Sequence, residues 1–323
     1  MHGTFLFIES ISPESWLYTV FGIIVVTFLV LDLGVFNKNP HRVSTTAALI
    51  QSAALVAVSL SFGALIYYFD DQPTAAVEYL SAYVTEYALS VDNIFVIILI
   101  MRYFHVSDQY QHKVLFWGIL GALIMRGIFI FIGAILIHEF HWILYIFGAF
   151  LVFTGAKMLF GKSEEDEEVN LDTNPVLRFS KKFLPFTTVE HGSSFWIRDK
   201  GKLLFTPLFM VIILIETTDL IFAVDSIPAV FSISQNEFVV YTSNIFAVLG
   251  LRAMFFVLSS VLNKFYLLSR GVSFILIFIG AKMLLELINI KIDTILSFIF
   301  IISVLVLSVV FSLIFPKQEK QNS

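Results

Sequence analysis

The sequence predicts an all-α fold: a polytopic transmembrane helix bundle of about nine spans that contains an inverted three-helix repeat. Three observations lead to this prediction. The composition is more apolar than that of a soluble domain, the apolar residues form segments long enough to cross a bilayer, and two stretches of the chain resemble each other. We expect one integral membrane domain over residues 1–323.

The composition is typical of a membrane protein. Of the 323 residues, 58% are hydrophobic and 14% are charged, whereas soluble domains average about 45–50% apolar and about 25% charged residues. Cysteine is absent, which excludes disulfides, thiolate metal sites and thiol redox chemistry. The modest net charge of −5 argues against nucleic acid as a partner.

The predicted spans are the segments that reach the ~20 mostly apolar residues needed to cross a bilayer. They cover roughly residues 16–36, 44–69, 77–101, 113–137, 140–160, 204–231, 237–262, 268–289 and 294–315. The connections are short and polar except for one loop over 161–203, which contains the acidic run EEDEE. We expect this loop to be a cytoplasmic, partly disordered linker, with a metal-buffering or docking segment as the alternative.

The distribution of Lys and Arg predicts the orientation of the chain. If the N-terminus lies outside, fifteen of the 20 basic residues fall in inner loops or the tail, one falls outside and four fall within spans. Cytoplasmic loops carry such an excess of basic residues. We therefore expect a multi-pass protein of the inner (plasma) membrane, with its N-terminus outside and its C-terminus in the cytoplasm. No cleaved signal is expected, because no basic residue precedes Lys38.

An internal repeat relates the two halves of the bundle. The matching pairs are SVDNIFVIILI at 90–100 with AVDSIPAVFSI at 223–233, LIMRGIFIF at 123–131 with VLGLRAMFF at 248–256, and GAKML at 155–159 with GAKML at 280–284. Repeat one covers about 77–160 and repeat two about 204–289. Three crossings separate their starts, so the copies enter the membrane from opposite sides. Secondary transporters share this architecture and bind substrate near the midplane between the repeats.

The GAKML copies are interpreted as packing motifs. Their Gly and Ala residues would let two helices approach closely. Lys157 and Lys282 lie nearer the helix ends, where a lysine can extend its ammonium group to the membrane surface.

Five carboxylates lie at membrane depth on two related spans. Glu86 and Asp92 in repeat one align with Asp219 and Asp225 in repeat two, and Glu216 is additional. An ionised acid at that depth costs at least ~2.5–3.5 kcal/mol, and acids there are usually functional. The alternative is a purely structural role, in which the acids neutralise buried arginines.

Arg126 and Arg252 form a matched pair near mid-span. Five acids against two arginines leave a surplus of three carboxylates, which must be protonated or hold a cation. Two interpretations of the arginines stay open. They pair with the acids in the empty state and release them when a cation arrives, or they are permanent structural partners.

The residue types indicate a hard cation. Carboxylate, amide and hydroxyl oxygens suit magnesium, calcium or manganese better than copper or zinc. The neutral oxygens next to the acids belong to Asn93, Ser226, Thr217 and Thr218. Asp32 lies near the inner end of the first span and is a candidate for the inner mouth, with simple interfacial placement as the alternative. Asn244 is a similar, undecided candidate.

The six-residue spacing of the acids limits how they bind an ion. On a straight helix such residues differ by about 120° in direction and ~9 Å in height. Glu86 and Asp92 therefore cannot bind one ion together unless the helix unwinds between them, or they act as successive stations on a path. Pro228 is a candidate for a break in repeat two, because it removes an amide donor and frees a carbonyl that could line a cavity.

The motifs resemble those of the TerC family of integral membrane proteins, its Alx-like members included. The resemblance covers about residues 15–290 and rests on W-L-Y at 16–18, LDLGVFN at 31–37, EYALSVDNIFV at 86–96, ETTDLIFAVDSIPAVF at 216–231 and YTSNIFAVLGLRAMFF at 241–256. It implies membership in a cation-exporter superfamily whose members are tied to manganese export, metal loading of secreted proteins and tellurite resistance. The metal-site residues that it implies are Glu86, Asp92, Asn93, Glu216, Asp219 and Asp225.

We therefore expect a secondary transporter that exports a hard divalent cation, with manganese as the leading candidate. Protons are the expected counter-ion, because carboxylates that bind metal must release or exchange protons. The expected partners are membrane lipid and the transported cation, with no enzymatic activity and no resident cofactor. The alternatives are a non-transporting membrane scaffold linked to tellurite resistance or protein export, and a calcium/proton antiporter.

Overall fold

The computed structural model is almost entirely helical. It describes residues 13–31, 44–70, 72, 74–140, 142–160, 185–187, 192–199, 202–261, 267–288 and 290–315. Its helices are α1 (Pro13–Leu31), α2 (Thr45–Phe69), α3 (Ala75–Tyr103), α4 (Asp108–Glu139), α5 (Ile143–Phe160), α6 (Pro207–Ile233), α7 (Glu237–Val261), α8 (Leu268–Leu285) and α9 (Thr294–Ile314). A short 3₁₀ turn, Glu286–Ile288, follows α8.

Eight of the described helices are long and apolar enough to cross a membrane. They match the second to ninth predicted spans and confirm a polytopic transmembrane bundle. The first predicted span, 16–36, corresponds to α1, whose described apolar part covers Ser15–Leu31 and is shorter than the other eight. The rest of that prediction, including Asp32, lies outside the described residues.

Local sequence explains where several helices begin. The Ser44 hydroxyl accepts a hydrogen bond from the Ala47 amide at the start of α2. Asp293 does the same for two amides in the first turn of α9. Pro207 opens α6, where its missing amide donor costs nothing. These caps satisfy donors that a helix start leaves unpaired.

A short β-hairpin precedes α6. Strands β1 (Trp196–Asp199) and β2 (Lys202–Phe205) are antiparallel, with Trp196 opposite Phe205. The helix of the sixth span therefore begins at Pro207, three residues after the approximate start at 204, since 202–205 form a strand. The sequence feature that could have predicted this hairpin is Gly201, because glycine is typical of hairpin turns. The acidic run EEDEE lies outside the described residues, so the expectation of a disordered linker there stays a prediction.

Helices α3 and α7 form the centre of the bundle. In their apolar segments 75% and 78% of the residues are buried, whereas α9 is buried over only 11%. Helix α3 packs against α7 and α4 against α6, while α5 packs against α8. In the predicted repeat, α3, α4 and α5 correspond to α6, α7 and α8. When each helix is replaced by its counterpart, the α3–α7 contact becomes the α6–α4 contact, and the α5–α8 contact stays the same. This pairing agrees with an inverted repeat, which itself stays a prediction.

The GAKML copies lie where α5 and α8 meet. A Cβ atom on Gly155 would be 2.8 Å from the Ser273 carbonyl oxygen, and one on Gly280 would be 2.8 Å from the Val152 amide nitrogen. The glycines therefore permit close helix contact, as the packing interpretation predicts. The two lysines differ, because Lys157 is exposed and Lys282 is buried.

Candidate functional site

A buried arginine joins four helices in the middle of the bundle. Arg126 on α4 is 1% exposed and donates a hydrogen bond to Glu86 Oε1 on α3. It donates to both carboxylate oxygens of Asp219 on α6, at 3.0 and 3.3 Å, and to Asn244 Oδ1 on α7 at 3.3 Å. The contact with Asp219 is bidentate, the strongest geometry for a guanidinium and a carboxylate.

Asn93 completes this group, which we call the Arg126 cluster. Its side-chain amide donates to Asp219 Oδ1 at 3.4 Å. The cluster therefore consists of Glu86, Asn93, Arg126, Asp219 and Asn244, all buried. Sequence analysis named all five, but it did not predict which acids contact which arginine.

The Arg126 cluster forms a polar layer between two apolar cores. On α6, Ile215 belongs to one core and Ala223 to the other. Asp219 lies midway between them, one helical turn from each. Arg126 occupies the corresponding place on α4. This placement agrees with the predicted midplane position of the acids.

The charge of the cluster is not balanced when both acids are ionised. Two carboxylates face one guanidinium, which leaves one negative charge in a buried site. A buried ion pair is tolerated only when its polar groups are hydrogen-bonded, and removing one partner costs about 3–5 kcal/mol. A purely structural role therefore explains Arg126, but it leaves the negative charge of one carboxylate without a compensating positive charge.

Several buried polar atoms in the Arg126 cluster and elsewhere on α6 have no partner in the described part of the chain. They are Glu86 Oε2, Glu216 Oε1, Ser226 Oγ and Asn244 Nδ2. Buried polar groups are normally hydrogen-bonded, so each exception calls for a ligand, a water or an ion. Three of these four atoms are oxygens, the atom type that manganese, magnesium and calcium bind.

Glu216 forms a second level one turn from Asp219. It is half-buried and makes no ion pair with the described residues. Its carboxylate lies against Gly121 on α4, where a Cβ atom would collide with it. Gly121 therefore provides the space for this acid. Sequence analysis missed Gly121, although a glycine within an apolar helix often marks a close approach.

Asp225 forms a third level two turns beyond Asp219. The Thr154 hydroxyl on α5 donates to its Oδ1 at 3.4 Å. Thr154 immediately precedes the first GAKML copy and was not identified from sequence. Thr217 and Thr218, proposed as neutral ligands, instead donate 2.7 Å hydrogen bonds to carbonyls of their own helix.

Three further predicted residues remain to be placed. Asp92 lies within α3, but its side chain is outside the described residues, as is the whole of Asp32. Arg252, the repeat partner of Arg126, is buried on α7.

The helices that carry the acids are continuous. Helix α3 runs unbroken through Glu86 and Asn93, and α6 runs through Pro228. Of the two alternatives that the six-residue spacing left open, the unwound helix is not seen, since α6 remains helical through the buried Pro228. No group of three or more Asp, Glu or His that could hold a metal occurs among the described side chains. The acids lie at successive levels, as a stepped path requires.

Comparison with protein families shows which family this chain belongs to. The model of the Integral membrane protein TerC family matches residues 71–321, which include every residue of the Arg126 cluster. The chain belongs to the TerC family. The resemblance seen in the sequence motifs is thereby confirmed.

TerC-family relatives match along most of their length. "Uncharacterized membrane protein STKORF319" of Myxococcus xanthus is 42% identical over 273 residues, 84% of this chain and 83% of that protein. "Putative membrane-bound redox modulator Alx" of Escherichia coli (strain K12) is 41% identical over 273 residues, 82% of this chain and 84% of its own. The protein of that name from Photorhabdus laumondii is 40% identical over 282 residues, 85% and 87% of the two chains. No solved structure matches the chain.

Proposed function

We propose that this TerC-family protein is a secondary transporter that exports a hard divalent cation, with manganese as the leading candidate. The observation that carries the proposal is the Arg126 cluster. It brings Glu86 from one repeat and Asp219 from the other to one buried layer, with an unpartnered oxygen on Glu86. Substrate sites of inverted-repeat transporters lie at this place.

The cation would move through the three levels of carboxylates along α6. Glu216 precedes Asp219 by ~4.5 Å along the helix axis, and Asp225 follows it by ~9 Å. Each level offers at least one carboxylate oxygen, so a cation passing along α6 meets a favourable charge at every step. Rocking of one repeat against the other would open the path first to one side and then to the other.

Arg126 would hold the acids in the empty state. It already occupies Glu86 and Asp219, so a divalent cation at this level must take both carboxylates from the guanidinium. The exchange leaves neither acid unpaired, and the guanidinium keeps Asn244 Oδ1 as an acceptor. Of the two interpretations open from sequence, we propose the exchangeable one. Protons remain the proposed counter-ion, because acids that release a metal can take up protons.

The name of the Alx relatives refers to redox modulation. This chain contains no cysteine, so a thiol of its own cannot carry that property. Transport of a cation requires no redox-active residue and fits the buried acids. The N-out orientation follows from the positive-inside rule and belongs to the proposal, as does export toward the outside.

The test is transport of manganese by the purified protein in liposomes. We expect the wild type to move Mn²⁺ down a gradient, and Glu86→Gln and Asp219→Asn to abolish this movement. Glu139→Gln is the matched control, because Glu139 is a carboxylate at the exposed end of α4. The proposal is wrong if the wild type moves neither Mn²⁺, Ca²⁺ nor Mg²⁺, or if both core variants transport at the wild-type rate. Movement of Ca²⁺ alone would support the antiporter alternative instead.

A further inference from the structure

A cleft of about 240 Å³ lies at one end of the bundle, away from the carboxylate path. Leu144 near the start of α5, Ser232 at the end of α6, Met283 on α8 and Thr294 at the start of α9 line its walls. All four helices end or begin there, so the cleft lies where a membrane-spanning bundle meets the lipid headgroups. Small-molecule pockets usually measure ~300–1,000 Å³, so this cleft suits a smaller group.

Lys282 from the second GAKML copy lines this cleft. It is 8% exposed, yet it forms no hydrogen bond or ion pair with the described residues. The stem of Lys282 is therefore covered by its neighbours, and its ammonium group lies at the cleft without a protein partner among the described residues. An ammonium group shielded from bulk water gains from an anionic partner. Its counterpart in the first copy, Lys157, is exposed, so the motif itself does not require burial.

The carboxylates around Lys282 do not pair with it. Glu78, Asp293 and Glu286 are the acids whose charges act on it. Glu78 accepts hydrogen bonds from two hydroxyls, one of them Ser234 at 2.6 Å, and Asp293 caps α9. Glu286 lines the cleft, is exposed, and forms no ion pair with the described chain. The cleft therefore presents a positive and a negative group that are not paired with each other.

We propose that this cleft binds the zwitterionic headgroup of a membrane phospholipid, with its phosphodiester on Lys282 and its ammonium group on Glu286. Lys291, which also lines the cleft, adds a second positive group beside the phosphate. A phosphodiester carries one negative charge, so it fits this position better than a free phosphate dianion, which the three nearby acids would repel. The apolar side chains Leu144, Phe231 and Met283 supply the surface for the glycerol end of the lipid.

The first experiment compares Lys282 with Lys157 in the wild-type protein, because both lysines lie in a GAKML sequence. Delipidated protein in detergent is treated with formaldehyde and cyanoborohydride in excess over all amines, the amine of the lipid included. This reagent methylates amines without removing their charge, and labelling of each lysine is followed by mass spectrometry. We expect phosphatidylethanolamine to slow labelling of Lys282 by about tenfold, as for one charge-assisted hydrogen bond protecting the amine. Labelling of Lys157 should not change.

The second experiment measures retained lipid by native mass spectrometry. Lys282→Gln should retain about tenfold less phosphatidylethanolamine than the wild type, whereas Lys157→Gln should retain the wild-type amount. Lys282→Arg keeps the charge and should keep most of the lipid, which covers the case that Lys282→Gln fails to fold. Glu286→Gln should remove the preference for phosphatidylethanolamine over phosphatidylglycerol.

Three results would overturn the proposal. One is equal protection of Lys282 and Lys157 by phosphatidylethanolamine. Another is protection by inorganic phosphate at the same concentration, which would assign the cleft to a free anion. The third is equal binding of phosphatidylglycerol and phosphatidylethanolamine by the wild type, which would leave Glu286 without a role.

Discussion

Arg126 connects both repeats through its side chain alone. It contacts Glu86, Asp219 and Asn244 on three different helices. A guanidinium keeps its charge at any physiological pH and presents donors in a fixed fork. It can therefore substitute for a cation between two carboxylates, which a lysine would do with less defined geometry.

Replacing Arg126 with Gln separates an exchangeable role from a permanent structural one. Without metal, we expect Arg126→Gln to lose about 3–5 kcal/mol of stability, because it leaves buried acids without their partner. Saturating Mn²⁺ should then stabilise the variant by about 2.7 kcal/mol at a hundredfold excess over its dissociation constant, and it should stabilise the wild type by less. Thermal unfolding with EDTA or Mn²⁺ measures both quantities.

Arg126→Lys is the control for this prediction, because it keeps the positive charge. Its Mn²⁺ stabilisation should resemble that of the wild type. If Mn²⁺ instead stabilises the wild type more than Arg126→Gln, the arginine helps to hold the metal and the exchange model is wrong.

A substitution at Gly121 tests whether transport needs the space beside the Glu216 carboxylate. Gly121→Ala places a methyl group where the Glu216 carboxylate lies, so we expect Mn²⁺ transport in liposomes to fall while the protein stays folded. Gly127→Ala on the same helix is the matched control, since a Cβ atom there meets nothing within 4 Å. Equal transport by the two variants would remove Glu216 from the path.

At the scale of secondary-structure elements, α5 and α8 pack closely because glycines at their contact carry no side chain. Gly148 and Gly280 face each other, and a Cβ atom on Gly148 would be 3.1 Å from the Gly280 carbonyl oxygen. Helices in a membrane gain little from the hydrophobic effect against each other, so close packing supplies much of their association.

Substitution at this contact should destabilise the bundle. Gly280→Ala directs a methyl group toward the backbone of α5, and overpacking of this kind costs about 1–3 kcal/mol. The loss is measured by thermal unfolding in detergent. Gly22→Ala on α1 is the control, because a Cβ atom there has no neighbour within 4 Å, and its melting temperature should match the wild type. A wild-type melting temperature for Gly280→Ala would contradict the close contact.

At the scale of the whole molecule, the helices alternate in direction. The end of the bundle with the lipid cleft holds the start of α3, the end of α6 and the start of α9. A hydrogen bond from Ser234 to Glu78 ties the α6–α7 connection to the first turn of α3 there. In the proposed orientation this end faces outward.

The absence of cysteine allows a direct test of orientation. Gln72, between α2 and α3, should lie outside, and Ser259, near the end of α7, should lie inside; both are exposed. A membrane-impermeant maleimide applied to intact cells should label Gln72→Cys and not Ser259→Cys until the membrane is broken. The reverse pattern would invert the proposed topology.

Sequence alone determined the membrane class, the eight long apolar helices after α1 and the acids that lie within them. Length, hydropathy and the cost of a buried charge are properties of a segment, so they can be read without knowing its neighbours. The β-hairpin was missed, since each of its strands is only four residues long.

The tertiary structure decided the contacts between helices, which no single segment of the sequence contains. It placed Arg126 between Glu86 and Asp219, assigned Gly121 to the space beside Glu216, and kept α6 helical at Pro228. The GAKML copies show the reason most clearly. The same five residues leave one lysine exposed and bury the other, and the ends of α6 and α9 line the cleft in which the buried lysine lies.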